Sequence, residues 1–208
     1  MGFKFDKNSY RIYAKNRLKT IARLRAKCYS YKLHKTFLNL LDDLKVKNIL
    51  IFTPLFYEPD FLKLRPRLAK KYNILLPFMV DKSLKMVKLR LPFKISKFNV
   101  REANDSNAFL KRIDLAVIPV IGVDGSMARI GHGMGYYDKF ISNLGYRPKI
   151  LFVQIEDFYI KEKICDSHDI TCDFYITPKR NYIRVNNDRD FDRLRSRSCR
   201  CWRRIRSR

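Results

Sequence analysis

The chain has 208 residues and a mass of 24.9 kDa, room for one ordinary domain. Its 46% hydrophobic residues, 15 Phe and 12 Tyr against 7 Gly and 8 Pro supply a substantial core and exclude a low-complexity or collagen-like chain. The net charge is +25, and it is uneven: residues 1–35 carry +10, the arginine-rich residues 189–208 carry +7, and the 153 residues between them only +8. No apolar run reaches the roughly 18–20 residues of a spanning helix, which excludes an integral membrane protein. The opening residues lack the apolar stretch of a secretory signal, so a cytoplasmic protein is expected.

In chain order, Ala14, Leu18, Ile21 and Cys28 repeat at helical spacing and predict a helix from about Lys7 to Cys28. A second helix is expected over residues 31–46, with Leu33, Phe37, Leu40, Leu41 and Leu44 as its stripe. The burst Asn48–Phe52 is too short for a helix and reads as a buried strand. Residues 59–71 look helical, Tyr72–Phe78 and Lys85–Leu91 look like strands, and residues 92–110 like an irregular loop. Leu115–Val120 is the clearest buried strand; a glycine-bearing segment, Gly122–Gly135, follows it, and then a helix over Tyr136–Leu144. Ile150–Gln154 and Phe174–Thr177 complete the expected strands.

Strands alternating with helices predict an α/β fold, a three-layer Rossmann-like sandwich with a mostly parallel central sheet. One domain is expected over residues 1–188. Residues 189–208, with nine Arg, are expected to form a disordered tail, as blocks of like charge usually do. The five cysteines form no C-x-x-C pair, and the three His complete no zinc signature, so reduced thiols are expected.

The segment that carries chemistry is the one leaving Leu115–Val120. Ligands of open α/β sheets bind beyond the carboxyl ends of the strands. Glycines there bring backbone N–H groups close to phosphate oxygens, and a helix start adds partial positive charge. Asp138 is placed to hold Mg²⁺ and Arg129 to neutralise phosphate. The loop is neither a Walker A motif nor a G-x-G-x-x-G fingerprint.

The run Arg129-Ile-Gly131-His132-Gly133-Met134-Gly135-Tyr136-Tyr137-Asp138 resembles the R-x-G-[RK]-G-x-G-Y-Y-D signature of the 5-formyltetrahydrofolate cyclo-ligase (5,10-methenyltetrahydrofolate synthetase) family. Three further pieces follow the family's order. Lys7-Asn-Ser-Tyr-Arg11 is similar to its K-x-x-x-R opening, whose cations bind ATP phosphates. Phe56-Tyr57-Glu58-Pro-Asp60 is similar to the segment whose glutamate contacts the folate pterin. His168-Asp169, followed by Asp173–Thr177, is similar to the H-D…D-x-[IVL]-[IVL]-T close, whose first Asp is associated with Mg²⁺. Phe98–Glu102 resembles F-G-I-x-E-P with its Gly and Pro replaced. These matches span residues 7–177.

The resemblance implies a ligase. ATP phosphorylates the formyl oxygen of 5-formyltetrahydrofolate to an iminophosphate, N10 attacks the activated carbon, and 5,10-methenyltetrahydrofolate, ADP and phosphate are released. It implies Arg129, Tyr136 and Asp138 as catalytic residues. The ATP site would comprise Lys7, Arg11, Arg129, Gly131, His132, Gly133, Met134, Gly135, Tyr136 and Tyr137. Phe56, Tyr57, Glu58 and Tyr136 would bind the folate, which is polyglutamylated in some forms and would suit the basic body; Asp138 and Asp169 would hold Mg²⁺. A monomer is expected.

Two features depart from the pattern. His132 stands where the family carries Arg or Lys, and neutral imidazole supplies a hydrogen bond but no full charge. The resemblance therefore implies weaker ATP binding or a charge supplied by a neighbour. The arginine tail has no counterpart in the pattern. Two other readings stay open from sequence: a basic nucleic-acid-binding protein, and a catalytically silent relative that binds reduced folate.

Overall fold

The computed structural model describes residues 6–80, 83–95, 101–102, 112–185 and 202–206. Its first element is one helix, α1 (Lys7–Asp43), capped by the Asp6 side chain, which accepts from the N–H groups of Asn8 and Ser9. The two helices expected there are continuous. The apolar stripe lapses around Arg25–Lys27, but no Gly or Pro interrupts the chain, so the backbone has no reason to break. Tyr10, Ala14 and Leu18 at one end and Leu33, Phe37, Leu40 and Leu41 at the other are buried. The side chain of Cys28 lies outside the described residues.

The strands are β1 (Asn48–Leu50), β2 (Asn73–Val80), β3 (Ser83–Lys88), β4 (Lys94–Ile95), β5 (Arg101–Glu102), β6 (Leu115–Pro119), β7 (Gly122–Val123), β8 (Arg129–Ile130), β9 (Lys149–Val153), β10 (Phe174–Ile176), β11 (Asn181–Val185) and β12 (Trp202–Arg206). Eight of them form one sheet in the order β12-β11-β10-β9-β6-β1-β2-β3. The five central strands, β10 to β2, run parallel; β3 and β11 are antiparallel to their inner neighbours. Side chains alternate between two cores. Ile49, Val117, Leu151 and Phe174 face the core covered by α1. Leu50, Ala116, Ile118, Phe152 and Tyr175 face the core that contains Phe140 and Ile141 of α3 (Tyr136–Ser142). This is the expected three-layer α/β sandwich.

Four local expectations change. The helix expected at 59–71 is a 3₁₀ turn, Phe61–Leu64, and a single α turn, α2 (Arg65–Leu68), because Pro66 has no N–H to extend a helix through it. The loop at 92–110 contains the β4–β5 ladder; of Phe98–Glu102, only residues 101–102 are described. The glycine segment contains the β7–β8 hairpin. The tail expected to be disordered contributes β12, which pairs in parallel with β11 over five residues. Residues 186–201 and 207–208 lie outside the described residues. β12 is held by Trp202, whose ring meets Phe174 edge-on at 5.9 Å, while Ile205 packs on the opposite core. No helix among the described residues is long and apolar enough to cross a membrane.

Trp202→Ala is expected to lower the unfolding free energy by about 2 kcal/mol, by loss of a half-buried aromatic, while Arg203→Ala changes it by less than about 0.5 kcal/mol. Urea denaturation of both variants checks this. Equal midpoints for Trp202→Ala and the parent would mean that β12 does not hold the sheet edge.

Candidate active site

The site lies at the carboxyl ends of the parallel strands, where the segment after β6 meets the start of α1. The buried stripe Tyr10–Ala14–Leu18 docks the helix. The Tyr10 ring lies against Gly122, where a Cβ would come within 2.7 Å of it, and its hydroxyl donates to the Phe158 carbonyl at 3.0 Å. Lys7 and Arg11 lie beside that stripe, Arg11 reaching the glycine loop and Lys7 the segment of Asp166 and Asp169. Arg11 Nε donates to the Gly131 carbonyl at 2.9 Å and its Nη1 to Asn8 Oδ1 at 2.6 Å. Lys7 Nζ pairs with Asp166 at 3.0 Å and with Asp169.

Arg129, at the start of β8, is buried and pairs through Nη1 with Asp138 Oδ2 at 2.9 Å. Its guanidinium lies over the Tyr137 ring, 5.1 Å from the centroid. Asp138 Oδ1 accepts from the Ile170 N–H at 3.2 Å, so both of its oxygens are engaged. This packing explains Gly131: a Cβ there would sit 2.5 Å from the Arg129 guanidinium. Gly133 has φ +106°, a conformation that only glycine adopts readily. α3 is only seven residues long, shorter than expected, and begins from Gly135 in the left-handed region.

A pocket of about 680 Å³ opens between these pieces. From the expected site residues it gathers Lys7, Arg11 and Arg129, the loop residues Gly131, Gly133, Met134 and Gly135, and the acids Asp138 and Asp169. His132, Tyr136 and Tyr137 do not line it. Tyr137 supports Arg129, and Tyr136 is half-buried at the start of α3.

His132 turns instead toward the segment after β1. Its Nε2 shares a hydrogen bond of 2.8 Å with the Tyr57 hydroxyl, and the two rings stack at 5.9 Å. Burial, reinforced by the charges of Lys15, Arg129 and Arg11, pushes its pKa down to about 4, so the imidazole is neutral at neutral pH. Next to Tyr57, Glu58 is buried and accepts from the Leu55 N–H at 2.9 Å. Burial lifts its pKa to about 7, against smaller opposing effects of that hydrogen bond and of Arg129. Phe56 is exposed and meets Tyr57 edge-on. Tyr57, Glu58 and His132 thus form a second cluster adjoining the pocket at the glycine loop, where Gly131 and Gly133 on either side of His132 line it.

Among the described residues, Asp166, His168 and Asp169 bring their ligand atoms within 4.8 Å of one another. This carboxylate-rich group faces the pocket and suits a hard cation. Asp169 was expected there. Asp138 was expected as its co-ligand, but both of its oxygens hold protein partners. Asp166 was not anticipated; its only sequence signal is its place three residues before Asp169. A second unanticipated residue is Asp124, fully buried in the β7–β8 turn. Its Oδ1 accepts from the Ser126 and Ala128 N–H groups and its Oδ2 from those of Ile164 and Cys165, fastening the hairpin to the segment that carries Asp166 and Asp169. The Asp-Gly-Ser sequence signals a turn, but the contacts of Oδ2 span 40 residues and leave no local trace.

Solved structures share this fold. The NMR structure of the 5,10-methenyltetrahydrofolate synthetase of Aquifex aeolicus matches with TM-score 0.73 and 20% identity, over 84% of this chain and 91% of that one. A 5,10-methenyltetrahydrofolate synthetase from Mycoplasma pneumoniae matches with TM-score 0.66 and 18% identity, over 83% of this chain and 98% of that one. A curated relative, the 5-formyltetrahydrofolate cyclo-ligase of Mycolicibacterium smegmatis, is 30% identical over 70 residues, 34% of this chain and 36% of the relative. That match therefore spans about a third of the relative's length. The model of the 5-formyltetrahydrofolate cyclo-ligase family matches residues 4–178, from the start of α1 to the end of β10, and so this chain belongs to that family of ligases.

Proposed function

We propose that the protein converts 5-formyltetrahydrofolate to 5,10-methenyltetrahydrofolate with hydrolysis of MgATP to ADP and phosphate. The observation that carries this reading is the adjacency of two sites at the glycine loop: a cation-rich pocket of about 680 Å³, and a cluster with a buried carboxyl and an exposed aromatic ring joined to that loop through His132. The first suits a polyphosphate and the second a flat, hydrogen-bonding pterin.

ATP lies in the pocket with its phosphates along Lys7, Arg11 and the backbone of 131–135. The formyl oxygen attacks the γ-phosphorus, the bond to the ADP oxygen breaks, and an iminophosphate forms. N10 then attacks the formyl carbon and gives up its proton. The carbon–oxygen bond breaks, and phosphate leaves with the former formyl oxygen. The protein's part is positional and electrostatic. Arg129, held by Asp138 and Tyr137, faces the charge that develops between the two sites. Glu58, with a pKa near neutrality, donates to or accepts from the pterin edge. Asp169, with Asp166 beside it, would hold Mg²⁺, which spreads the polyphosphate charge when bound. We assign Asp138 to Arg129 in place of the metal.

Incubation of the protein with 5-formyltetrahydrofolate, ATP and Mg²⁺, followed through the methenyl chromophore, tests the reading. Product is expected only when all three are present. Tight folate binding without ADP release would identify a silent relative instead. Asp169→Asn is expected to raise the Mg²⁺ concentration for half-maximal rate by about tenfold or more; an unchanged requirement would remove Asp169 from the metal site.

Glu58 generates a pH prediction. Its folded pKa of about 7 lies above the ordinary 4.5, so the folded state binds the extra proton between those values. Its contribution to stability is complete below about pH 4.5 and is lost as pH rises toward 7. Glu58→Gln is expected to flatten this slope, matching the parent near pH 5 and exceeding its stability near pH 8, and to raise KM for folate by about tenfold with KM for ATP unchanged. Denaturation at the two pH values and steady-state kinetics check both. Parallel stability profiles would show that Glu58 ionises freely.

A further inference from the structure

The stretch that carries Asp166, His168 and Asp169 is tied to the β7–β8 hairpin at its two ends. Before it, the Glu162 carbonyl accepts from the Gly125 N–H at 3.1 Å; after it, the Ile170 carbonyl accepts from the Arg129 N–H at 2.9 Å. Between those points, residues 163–169 make no backbone–backbone hydrogen bond to the hairpin among the described residues. What the hairpin offers them is one side chain, Asp124, together with a sulfur contact of 3.5 Å from the Cys165 thiol to the Arg129 carbonyl.

Asp124 is fully buried, and its two oxygens face different parts of the chain. Oδ1 accepts from the N–H groups of Ser126 at 2.9 Å and Ala128 at 3.0 Å, and from the Ser126 hydroxyl at 2.6 Å. Oδ2 accepts from the N–H groups of Ile164 at 3.1 Å and Cys165 at 3.0 Å. A carboxylate taken out of water is stabilised by donors fixed around it, and it fixes them in turn. The first set shapes the turn that leads into Arg129. The second sets where the chain starts toward Asp166, whose own N–H donates to Asp169 Oδ2 at 2.7 Å. Asp124, the backbone of 164–165 and the two acids are thus linked in series.

We propose that Asp124 is a positioning residue for the metal site: its Oδ2 holds the backbone that leads to Asp166 and Asp169, so the affinity for a divalent cation depends on a side chain that does not touch the ion. This rests on the reading of Asp166 and Asp169 as metal ligands. Groups that orient ligands without touching a metal change its affinity by about 10- to 100-fold when replaced. The same carboxylate holds the turn before Arg129, so the glycine-loop arm and the metal arm are set by one residue.

Binding of Mn²⁺, a spectroscopic probe for a carboxylate site, to the parent, Asp124→Asn, Ser126→Ala and Asp169→Asn tests it, read by electron paramagnetic resonance of the free ion. Asn keeps one acceptor and puts an NH₂ in place of the other. Three donors meet Oδ1 and two meet Oδ2, so the Asn carbonyl stays with the turn and its NH₂ faces the N–H groups of Ile164 and Cys165. Asp124→Asn is expected to weaken Mn²⁺ by about tenfold or more and to leave 5-formyltetrahydrofolate binding within about twofold of the parent. Ser126→Ala, which removes one donor from the Oδ1 side alone, keeps Mn²⁺ affinity within about twofold. If Asp169→Asn weakens Mn²⁺ and Asp124→Asn does not, the positioning role is overturned and the metal site stands. If Asp124→Asn weakens Mn²⁺ and folate alike, the loss is one of general order, and the role is overturned as well. No effect of Asp169→Asn removes the metal site and the role with it. Amide hydrogen exchange of the parent needs no variant to fold: the N–H groups of Ile164 and Cys165 are expected to exchange at least about tenfold more slowly than that of Lys163, and equal rates overturn the clamp.

Discussion

The buried pair of Arg129 and Asp138 organises the site. A guanidinium taken out of water is costly unless its charge and donors are met, and removing one member of such a pair typically costs about 3–5 kcal/mol. Here the pair joins the β7–β8 hairpin to α3 across the glycine loop, and Asp138 also accepts from the Ile170 N–H. Three separate segments therefore converge on one ion pair. Gly131 follows from it, since a side chain at that position would occupy the space of the guanidinium. The loop is shaped by the packing of Arg129 as much as by what it is to bind.

The same economy of charge governs the rest of the pocket. A chain of net charge +25 has no shortage of cations, and the useful distinction is which of them are already compensated. Lys7 is paired with Asp166 and Asp169, and Arg129 with Asp138, so the charge of each is partly compensated within the protein. His132 turns away from the glycine-loop pocket toward the segment after β1, where it bonds to Tyr57.

Much of this was legible in the sequence. The strand Leu115–Pro119, the loop behind it and the ordered motifs placed nine expected residues around one pocket. The buried stripe of α1 was equally plain, but its unbroken length was not, because a lapse in apolar periodicity resembles a helix end when no Gly or Pro marks one. The hairpin strands β7 and β8 are two residues each, too short for alternation to register. β12 is mostly arginine, and its order comes from backbone pairing with β11 and from Trp202, neither of which charge composition reveals. Asp124 has no sequence signal of its role because its partners lie far along the chain, at Ile164 and Cys165. Asp138 is legible as a site residue, but its spacing to Arg129 says nothing of the ion pair that the two form.

The direct test of phosphoryl transfer between the two sites follows the formyl oxygen itself. With 5-formyltetrahydrofolate carrying a heavy oxygen isotope in the formyl group, mass spectrometry of the released phosphate reads where that atom goes. Transfer of the γ-phosphoryl group to the formyl oxygen places one labelled atom in each phosphate released with methenyl product. Unlabelled phosphate, with the label appearing in water, would contradict it and leave the glycine-loop pocket without its assigned chemistry.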